Sequence, residues 1–501
     1  MKIFTFSTLS VLSLSIVTSG LQASDDESRL DLNTFSPHAL TVRTTQEQVT
    51  NGSLSFNQLR LRGLRIFTTP FTQADGYGNA PAATPQARRR LPGRTTLQAN
   101  GAFLRINGLD AQTCFECHSV RSRATLPMQF AVGGSGGITS SIIGGGGASY
   151  INANDDENQI NAPDGGSTIG ARNINGRLIN PPFIFGAGGV ELLANEMTGD
   201  LQSLANGLER SESVSLLTKG ISFGQLTRNA DGSFDTSLVE GVDANPASPL
   251  FLVIRPFGRR GGANTTRAFA RNSIQVHQGM QPVEVVGEDV DGDNDGVVNE
   301  ILVGELSALS IFKVSLERPY QSRVRGSARR GQRLFSEVGC AECHVPRLET
   351  DSRRLNLRFP EIANDPSANI YYNIDLSRSP TKFRRNRQGG VSVDLYADLK
   401  RHNMGPALAE FDGSAVFTTA RLWGLADSAP YLHDGRAFTV RQAIDMHGQA
   451  GSEAETSVTA FNDLSSAEQR SLLDFLGTLR TPRRVAANLV EREDEDEEDD
   501  D

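Results

Sequence analysis

The sequence is poor in several residue types, and each shortage excludes a class of protein. Its 501 residues contain only four cysteines, which excludes a scaffold built on many disulfides. Lys and Arg number 49 against 59 Asp and Glu, so no positive field marks a nucleic-acid-binding protein. After residue 25, no apolar run reaches the roughly 20 residues of a membrane-spanning helix. The length is sufficient for two or three domains.

The net charge of −10 is concentrated at the C-terminus. Residues 491–501 contain ten acidic side chains and one Arg, while the rest of the chain is close to neutral. Like charges at this density repel one another and remain solvated. We therefore expect a disordered acidic tail over 486–501.

The N-terminus has the pattern of an export signal. Lys2 precedes an apolar stretch over 3–17, small residues follow as far as Ala23, and acidic residues come next. This order is typical of a cleaved secretory signal peptide, which we place at 1–23. We therefore expect a periplasmic protein whose mature chain has no transmembrane segment.

All four cysteines lie in two copies of one short motif. The copies are Cys114-Phe-Glu-Cys117-His118 and Cys340-Ala-Glu-Cys343-His344. Two thiols at this spacing can add to the two vinyl groups of haem, and the histidine that follows reaches the iron. The motifs therefore predict two covalently bound c-type haems, each with the histidine of its motif as proximal ligand.

Other uses of paired cysteines explain the pattern less well. Zinc sites with two cysteine pairs space the pairs about 15–20 residues apart, whereas more than 200 residues separate these two. A thioredoxin-like redox pair accounts neither for the histidine nor for the repetition.

Similar segments flank the two motifs, which indicates a duplication. Arg62-Gly-Leu-Arg-Ile-Phe67 precedes the first motif, and Arg330-Gly-Gln-Arg-Leu-Phe335 precedes the second. Apolar residues at helical spacing follow each motif, over 306–316 and over 464–479. Ser465 with Glu468 forms the pattern of a capping box at the start of the last of these helices.

These patterns predict a mainly α fold made of two cytochrome c-like haem domains with long loops and few short strands. The N-terminal haem domain would span 24–320 and contain long loop insertions, of which 68–113 is one. The C-terminal haem domain would span 321–485.

An acidic segment between the two halves has the spacing of a cation-binding loop. Alternating carboxylates around a glycine suit a hard cation such as calcium, although an EF-hand would also have glutamate at its twelfth position. A plain turn of Asp and Gly is the alternative. The residues that would bind calcium are Asp289, Asp291, Asp293, Asp295 and Asn299.

Several further segments match the motifs of a known family. They are Leu422-Trp423-Gly-Leu, Pro430-Tyr-Leu-His433-Asp-Gly, Ala443-Ile-Asp-Met-His447-Gly, His402-Asn-Met404-Gly-Pro and Pro181-Pro-Phe183-Ile-Phe185-Gly. Together with the haem motifs they resemble the di-haem oxidoreductases, a family related to bacterial di-haem cytochrome c peroxidases. The similarity is patchy and runs from about residue 55 to residue 480.

The resemblance implies that the second haem transfers electrons. In the family, the helix after the His-Asp-Gly turn delivers the distal ligand, which places His447 opposite His344. Met404 is the alternative ligand, because thioether sulfur is a common partner of c-type haem. His433 would organise the turn at the haem edge. Trp423 would either carry electrons between the haems or pack in the core.

The resemblance also implies that the first haem is the reactive one. No suitable distal ligand follows His118 closely, which suggests an open iron, with His277 and Met280 as alternative ligands. A peroxidase needs an acid/base group near the iron. Glu191 occupies about the family's position for that carboxylate, and Glu196 is the second candidate.

The implied function is that of a periplasmic di-haem oxidoreductase of the cytochrome c peroxidase type. It would reduce peroxide, or activate oxygen, at the first haem with electrons delivered through the second. A small periplasmic cytochrome c or cupredoxin-like protein would be the donor. Two alternatives are an electron-transfer cytochrome without an open iron, and an oxygenase or protein-modifying enzyme on the same scaffold.

Overall fold

The computed structural model describes most of both halves of the chain. The described residues are 40–77, 95–96, 105–106, 113–116, 118, 180–292, 296–359, 369–409 and 414–482. The predicted signal peptide, the acidic tail, most of the predicted loop over 68–113, Cys117, Asp293 and Asp295 lie outside them.

Helices carry most of the regular structure, and none in the described part is long and apolar enough to cross a bilayer. The described residues contain eleven α-helices: α1 Gln46–Thr50, α2 Phe56–Thr68, α3 Ala187–Asn206, α4 Thr266–Ser273, α5 Val283–Val286, α6 Val303–Val314, α7 Ser327–Glu337, α8 Cys340–Cys343, α9 Val440–His447, α10 Glu455–Asp463 and α11 Ser466–Leu476. A π-helical turn, Ile274–Gln278, continues α4.

The strands are short and pair in antiparallel fashion. They are β1 Thr95–Thr96, β2 Arg105–Ile106, β3 Glu212–Thr218, β4 Ile221–Arg228, β5 Phe234–Asp235, β6 Tyr320–Gln321, β7 Leu348–Glu349, β8 Arg354–Arg358, β9 Ile370–Asp375, β10 Arg384–Arg385, β11 Val391–Val393, β12 Arg401–Asn403, β13 Val416–Thr418 and β14 Leu479–Arg480. The sheet orders are β1-β2, β3-β4-β5, β10-β11-β7, β8-β9, β12-β13 and β14-β6. The longest pairing, β3 with β4, sets Val214 opposite Leu226. The expected helices and short strands are present, and the two cytochrome c-like domains stay a prediction.

The same helix crossing occurs in each half of the chain. α2 meets α6 where a methyl group on Gly63 would lie 2.2 Å from the carbonyl oxygen of Ala308. α7 meets α11 where a methyl group on Gly331 would lie 1.8 Å from the carbonyl oxygen of Ser471. At both places only glycine, which lacks Cβ, lets the helix backbones approach this closely.

An aromatic pair lies one helical turn beyond each glycine. Phe67 packs on Phe312 with ring centroids 5.5 Å apart and ring planes at 55°. Phe335 packs on Phe475 at 5.4 Å and 59°. Because the glycine-to-phenylalanine spacing is also the same in both copies, the segments that flank the two haem motifs form equivalent helix pairs.

The predicted start of the last helix is confirmed. Ser465 is the N-cap of α11, and its side chain accepts from the amide of Glu468. The Glu468 side chain in turn accepts from the amide of Ser465 at 3.0 Å, which completes the capping box.

The buried apolar side chains form two clusters. The larger takes residues from both halves, Phe312 and Trp423 among them. The smaller is confined to the second half and is built on the crossing of α7 and α11, with Phe335 and Phe475 at its centre. Most buried apolar residues of 348–399 belong to the larger cluster. The boundary predicted at residue 320 therefore does not separate the two cores.

Replacing Gly331 by alanine tests the crossing in the second half. The added methyl group would meet the backbone of Ser471, which yields only if α7 and α11 move apart. We expect the free energy of unfolding to fall by about 1–3 kcal/mol, the usual effect of overpacking. Urea unfolding of the variant and the parent protein measures the change.

Gly199→Ala is the matched control for this substitution. Gly199 also lies inside a helix, α3, and nothing beyond its own helix backbone stands within 4 Å of the added methyl group. Its stability should stay the same or rise by up to about 1 kcal/mol. Equal losses in the two variants would contradict the close crossing.

Candidate functional site

Each cysteine motif folds as a single helical turn that ends at its histidine. The amide of His118 donates to the carbonyl of Cys114 at 2.9 Å, and the amide of His344 donates to the carbonyl of Cys340 at 3.0 Å. In a helical turn, the residues at positions i, i+3 and i+4 lie on the same side of the helix. In α8 this arrangement directs Cys340, Cys343 and His344 towards the same space.

Three histidines share one hydrogen-bonding arrangement. In each, Nδ1 lies against a backbone carbonyl oxygen: Pro182 at 2.6 Å from His118, Tyr396 at 3.2 Å from His344, and Ala443 at 2.6 Å from His447. Because a carbonyl oxygen only accepts, Nδ1 carries the hydrogen and Nε2 carries the lone pair. A carbonyl on one ring nitrogen is the usual support of a histidine that binds metal through the other.

His344 and His447 are both partly buried, and they are close enough for the charge of His447 to act on His344. Burial and the neighbouring His447 lower the pKa of His344 to about 4, against the opposing effect of the Tyr396 carbonyl. Burial also lowers the pKa of His447, which is the last residue of α9. Both imidazoles are therefore neutral at pH 7, which is the form that binds metal.

The alternative ligand, Met404, has a backbone role. Its amide donates to the carbonyl of Ala415 at 2.9 Å, and it forms an isolated bridge with Ser452. His447 is one of the side chains whose charge acts on His344. The choice between His447 and Met404 as the partner of His344 stays a prediction.

His433 contributes to the turn in which it lies. Its ring stacks on Phe417 with centroids 4.5 Å apart, and its carbonyl accepts from the amide of Asn180 at 2.8 Å. The side-chain amide of Asn180 donates to the carbonyls of Pro430 and Leu432, each at 2.8 Å. These contacts tie the turn to the segment that carries Phe183 and Phe185.

An apolar pocket opens beside His118. The space that it offers to water-sized molecules is about 60 Å³, and four phenylalanines form much of its wall: Phe183, Phe185, Phe257 and Phe269. The ring of Phe269 meets the imidazole of His118 edge-on, with centroids 6.4 Å apart. The pocket therefore combines a metal-binding nitrogen with a wall that repels water.

Arg421 brings a positive charge to this wall, without an ionic partner among the described residues. Its Nη1 donates to the carbonyl of Pro256 at 3.0 Å, and burial lowers its pKa to about 10. A guanidinium removed from water is costly without a counter-charge, and it pairs best with a carboxylate. The residues of the wall thus offer apolar contacts and a cation, which match the apolar face and the edge carboxylates of a haem.

A polar cluster meets at Thr266, the first residue of α4. The Thr266 amide donates to Oε2 of Glu191 at 2.8 Å, and the Thr266 carbonyl accepts from Nζ of Lys313 at 2.5 Å. Its own Oγ1 is buried and has no hydrogen-bond partner among the described residues. Thr266 and Lys313 line the pocket, and Glu191 reaches the wall through Thr266.

The electrostatics of this cluster suit proton exchange. Burial lowers the pKa of Lys313 to about 8, although the charges of Cys114 and Glu191 raise it. An amine with such a pKa exchanges its proton near neutral pH. The N-terminus of α4 stabilises the negative charge of Glu191. The pocket wall therefore holds a proton donor beside a carboxylate.

Glu196, the second candidate acid, lies elsewhere. Its carboxylate accepts from the amides of Asp351 and Ser352 at 2.8 and 2.9 Å, and it pairs with Lys219 at 2.9 Å. Five residues along an α-helix turn a side chain by roughly 140°, so Glu191 and Glu196 face different directions on α3. The structure separates two carboxylates that the sequence left as alternatives.

The remaining candidates near the first motif are mostly buried. Met280 lies inside the larger core, and the side chain of His277 lies outside the described residues. Gln278 donates Nε2 to Sγ of Cys114 at 3.8 Å, which places the π-helical turn against the first motif. Trp423 is 4% exposed in the larger core and packs on Gly186.

The described residues of the acidic segment form hydrogen bonds with one another. Asp289 and Asn299 bond each other twice, through the Asp289 amide at 2.9 Å and the Asn299 side-chain amide at 2.8 Å. Asp291 accepts from the amide of Gly296 at 3.0 Å. Calcium binding by this segment stays a prediction.

The Cys340 thiol lacks the property that a thioredoxin-like redox pair requires. Burial raises the pKa of Cys340 to about 11. A reactive thiol needs a lowered pKa, because the thiolate is the nucleophile.

Sequence reasoning missed one group beside this motif. Cys343, Asp398 and His402 bring ligand atoms within 4.8 Å of one another. The sequence indicated His402 only as part of a family motif. The one feature that could have indicated the group is Asp398, which stands four residues before His402.

The comparison with protein families covers the second half of the chain. Residues 386–479 match the family model described as "Di-haem oxidoreductase, putative peroxidase". The match includes His402, Trp423, His433 and His447. It bears out the resemblance predicted from the sequence and supports an oxidoreductase at a coarse level.

Curated relatives give the same family. A cytochrome-c peroxidase, IdrP2, from Pseudomonas sp. (strain SCT) is 29% identical over 34% of this chain and 47% of its own length. The IdrP2 of Denitromonas iodatirespirans is 25% identical over 40% of this chain and 49% of its own length. The chain thus spans about half the length of the curated relatives it matches.

One solved structure is similar at a lower level. It is described as a MauG-like protein associated with microbial copper homeostasis, and it is 17% identical over 51% of this chain and 78% of its own. The TM-score is 0.23, and at that value the likeness carries no argument about fold or function.

Replacing His447 by glutamine tests the pairing of His447 with His344. If both imidazoles bind one iron, the variant loses most of its low-spin ferric signal, because a strong-field ligand is gone. Low-temperature EPR and the visible spectrum measure the change.

His433→Gln is the matched control, since the His433 ring stacks on Phe417. It should keep the low-spin signal. A low-spin signal retained in His447→Gln and lost in Met404→Leu would show that Met404 is the ligand instead.

Proposed function

We propose that the protein is a periplasmic di-haem c-type oxidoreductase that reduces peroxide at its first haem with electrons delivered through its second. One observation carries the proposal. Three histidines hold Nδ1 against a backbone carbonyl; the charge of His447 acts on His344, and His118 lines a pocket. One haem site with two histidine ligands and a second with a single histidine ligand would suit electron transfer from the first of these to the second.

The second site would hold its haem through two cysteines and two histidines. Cys340 and Cys343 would form the thioethers, while His344 and His447 would supply nitrogen ligands to the iron. An iron bound by both imidazoles would transfer electrons without binding peroxide. Its role in the proposal is to accept electrons one at a time and to pass them on.

The first site would leave room for a substrate. Cys114, Cys117 and His118 would hold the haem, and Arg421 would pair with one of its carboxylates. The haem supplies the electrons and the metal that weakens the O–O bond. The phenylalanines of the wall exclude bulk water, which strengthens each polar interaction inside.

The polar cluster at Thr266 would move the protons that the reaction needs. Reduction of hydrogen peroxide to two waters consumes two electrons and two protons. Nζ of Lys313 holds a proton at the pocket wall, and Glu191 is close enough to affect its pKa. Through Thr266 and Lys313 on the wall, the Glu191 carboxylate would act as the acid/base group that takes a proton from peroxide and returns it to the leaving oxygen. The Thr266 hydroxyl can donate to a bound oxygen atom.

A protein donor would deliver electrons near the second site. Phe438 is 69% exposed and directly precedes Thr439, the N-cap of α9. A small periplasmic cytochrome c or cupredoxin-like protein is the donor in this proposal. The open pocket at His118 favours an enzyme over a pure electron carrier.

Replacing Glu191 by glutamine tests the proposed reaction. The amide keeps the shape of the side chain but transfers no proton, so kcat for hydrogen peroxide should fall by about 10²–10⁴-fold. A reduced small cytochrome c is the donor, and its oxidation is followed by absorbance. Haem content and the low-spin signal should be unchanged.

Glu196→Gln tests the other assignment of the acid. We expect it to keep the parent's turnover, because the Glu196 carboxylate bonds the amides of Asp351 and Ser352.

Oxygen uptake by the parent protein with organic substrates tests the oxygenase alternative. Oxygen uptake without peroxide turnover in the parent protein would favour an oxygenase or protein-modifying enzyme and contradict the proposal.

A further inference from the structure

A charged cluster beside the second haem motif has no part in the function proposed above. Nε2 of His402 lies 2.8 Å from Oδ2 of Asp398, and Nδ1 of His402 lies 2.6 Å from Oε2 of Glu453. Ionised carboxylates only accept hydrogen bonds, so both ring nitrogens carry hydrogen. His402 is therefore an imidazolium that donates a hydrogen bond to each of two carboxylates.

The rest of the cluster keeps these charges in place. Asp398 is 2% exposed, and its Oδ1 accepts from the Thr419 hydroxyl at 2.6 Å and from the Lys400 amide at 2.9 Å. Burial opposes the charged form of Asp398, but the hydrogen bonds from His402 and Thr419 lower its pKa. Glu453 is anchored through Oε1, which accepts from the amide of Asn403 at 2.7 Å.

The cluster meets the second haem motif at its second cysteine. Sγ of Cys343 lies within 4.8 Å of the ring nitrogen of His402 and of the carboxylate of Asp398. His402 lies on β12, opposite Phe417 of β13, so the sheet holds it against α8. If Cys343 carries a thioether, both charges stand at the edge of the second haem.

We propose that this cluster sets the reduction potential of the second haem: the His402 imidazolium raises the potential and the Asp398 carboxylate lowers it. The inference rests on the proposed function, because it needs a haem on Cys343. The step it affects is the gain of one electron by the ferric iron from an external one-electron donor, with no bond made or broken.

The physical reason is the low dielectric of the site. A unit charge a few ångströms from the haem edge acts strongly where water is largely absent. A positive charge there destabilises the ferric form relative to the ferrous form, and a negative charge does the opposite. Asp398 and Glu453 act as positioning residues for His402, and each contributes its own charge.

Two substitutions with opposite expected effects test the proposal. In the holoprotein, His402→Gln should lower the midpoint potential of the second haem, and Asp398→Asn should raise it. Spectroelectrochemical titration follows the low-spin haem, and the first haem in the same sample is the internal reference. A purely structural disturbance would not shift the potential in opposite directions.

Two further variants complete the series. Glu453→Gln should raise the potential less than Asp398→Asn, because the Glu453 side chain is 52% exposed and partly screened. It also keeps the test decisive if Asp398→Asn fails to fold. Glu240→Gln is the matched control. Its carboxylate, 66% exposed, pairs with Lys400 at 3.3 Å, and its loss should leave the potential unchanged.

The possible outcomes separate this inference from the proposed function. Opposite shifts, with both haems retained, support it. Unchanged potentials, or shifts of the same sign, in protein that holds both haems overturn the inference and leave the proposed function standing. A protein without the second haem, with zinc bound by Cys343, Asp398 and His402 instead, overturns both.

Discussion

Two close helix crossings are the constraint on which the rest of the structure depends. Gly63 and Gly331 let one helix of each pair rest directly on the backbone of the other. In the second half, α7 ends two residues before Gly339, whose left-handed backbone starts the turn of Cys340–Cys343. The crossing of α7 and α11 thus fixes the position of the turn that carries the cysteines and the histidine of the second motif.

Backbone carbonyls from distant segments then orient the histidines. Pro182 fixes the ring of His118, and Tyr396 fixes that of His344. The same histidine chemistry serves two environments. The ring of His344 has the imidazole of His447 among its neighbours, and the ring of His118 lines a pocket with Lys313 and Arg421 on its wall. In the proposed function, that difference in surroundings, and not the motif, would distinguish an electron-transfer site from a reactive one.

Much of this could be predicted, and the reason for each failure is physical. The haem motifs and the paired helices depend on short-range spacing, which a sequence displays, and the proposed role of His447 rests on the same kind of signal. Glu191 could not be separated from Glu196 in that way, because the contact that ties Glu191 to the pocket wall is made by Thr266, 75 residues later. Arg421 and Asp398 matter through burial and neighbours, which have no local signature. Asp289 and Asn299 bond each other, and calcium binding by their segment stays a prediction.

Low-temperature EPR of the ferric protein tests the central claim most directly, because the claim is that two similar motifs hold haems in different coordination. The account predicts one low-spin signal, from the site of His344 and His447, and one high-spin signal, from the open site of His118. Two low-spin signals would contradict an open first site and would describe an electron carrier.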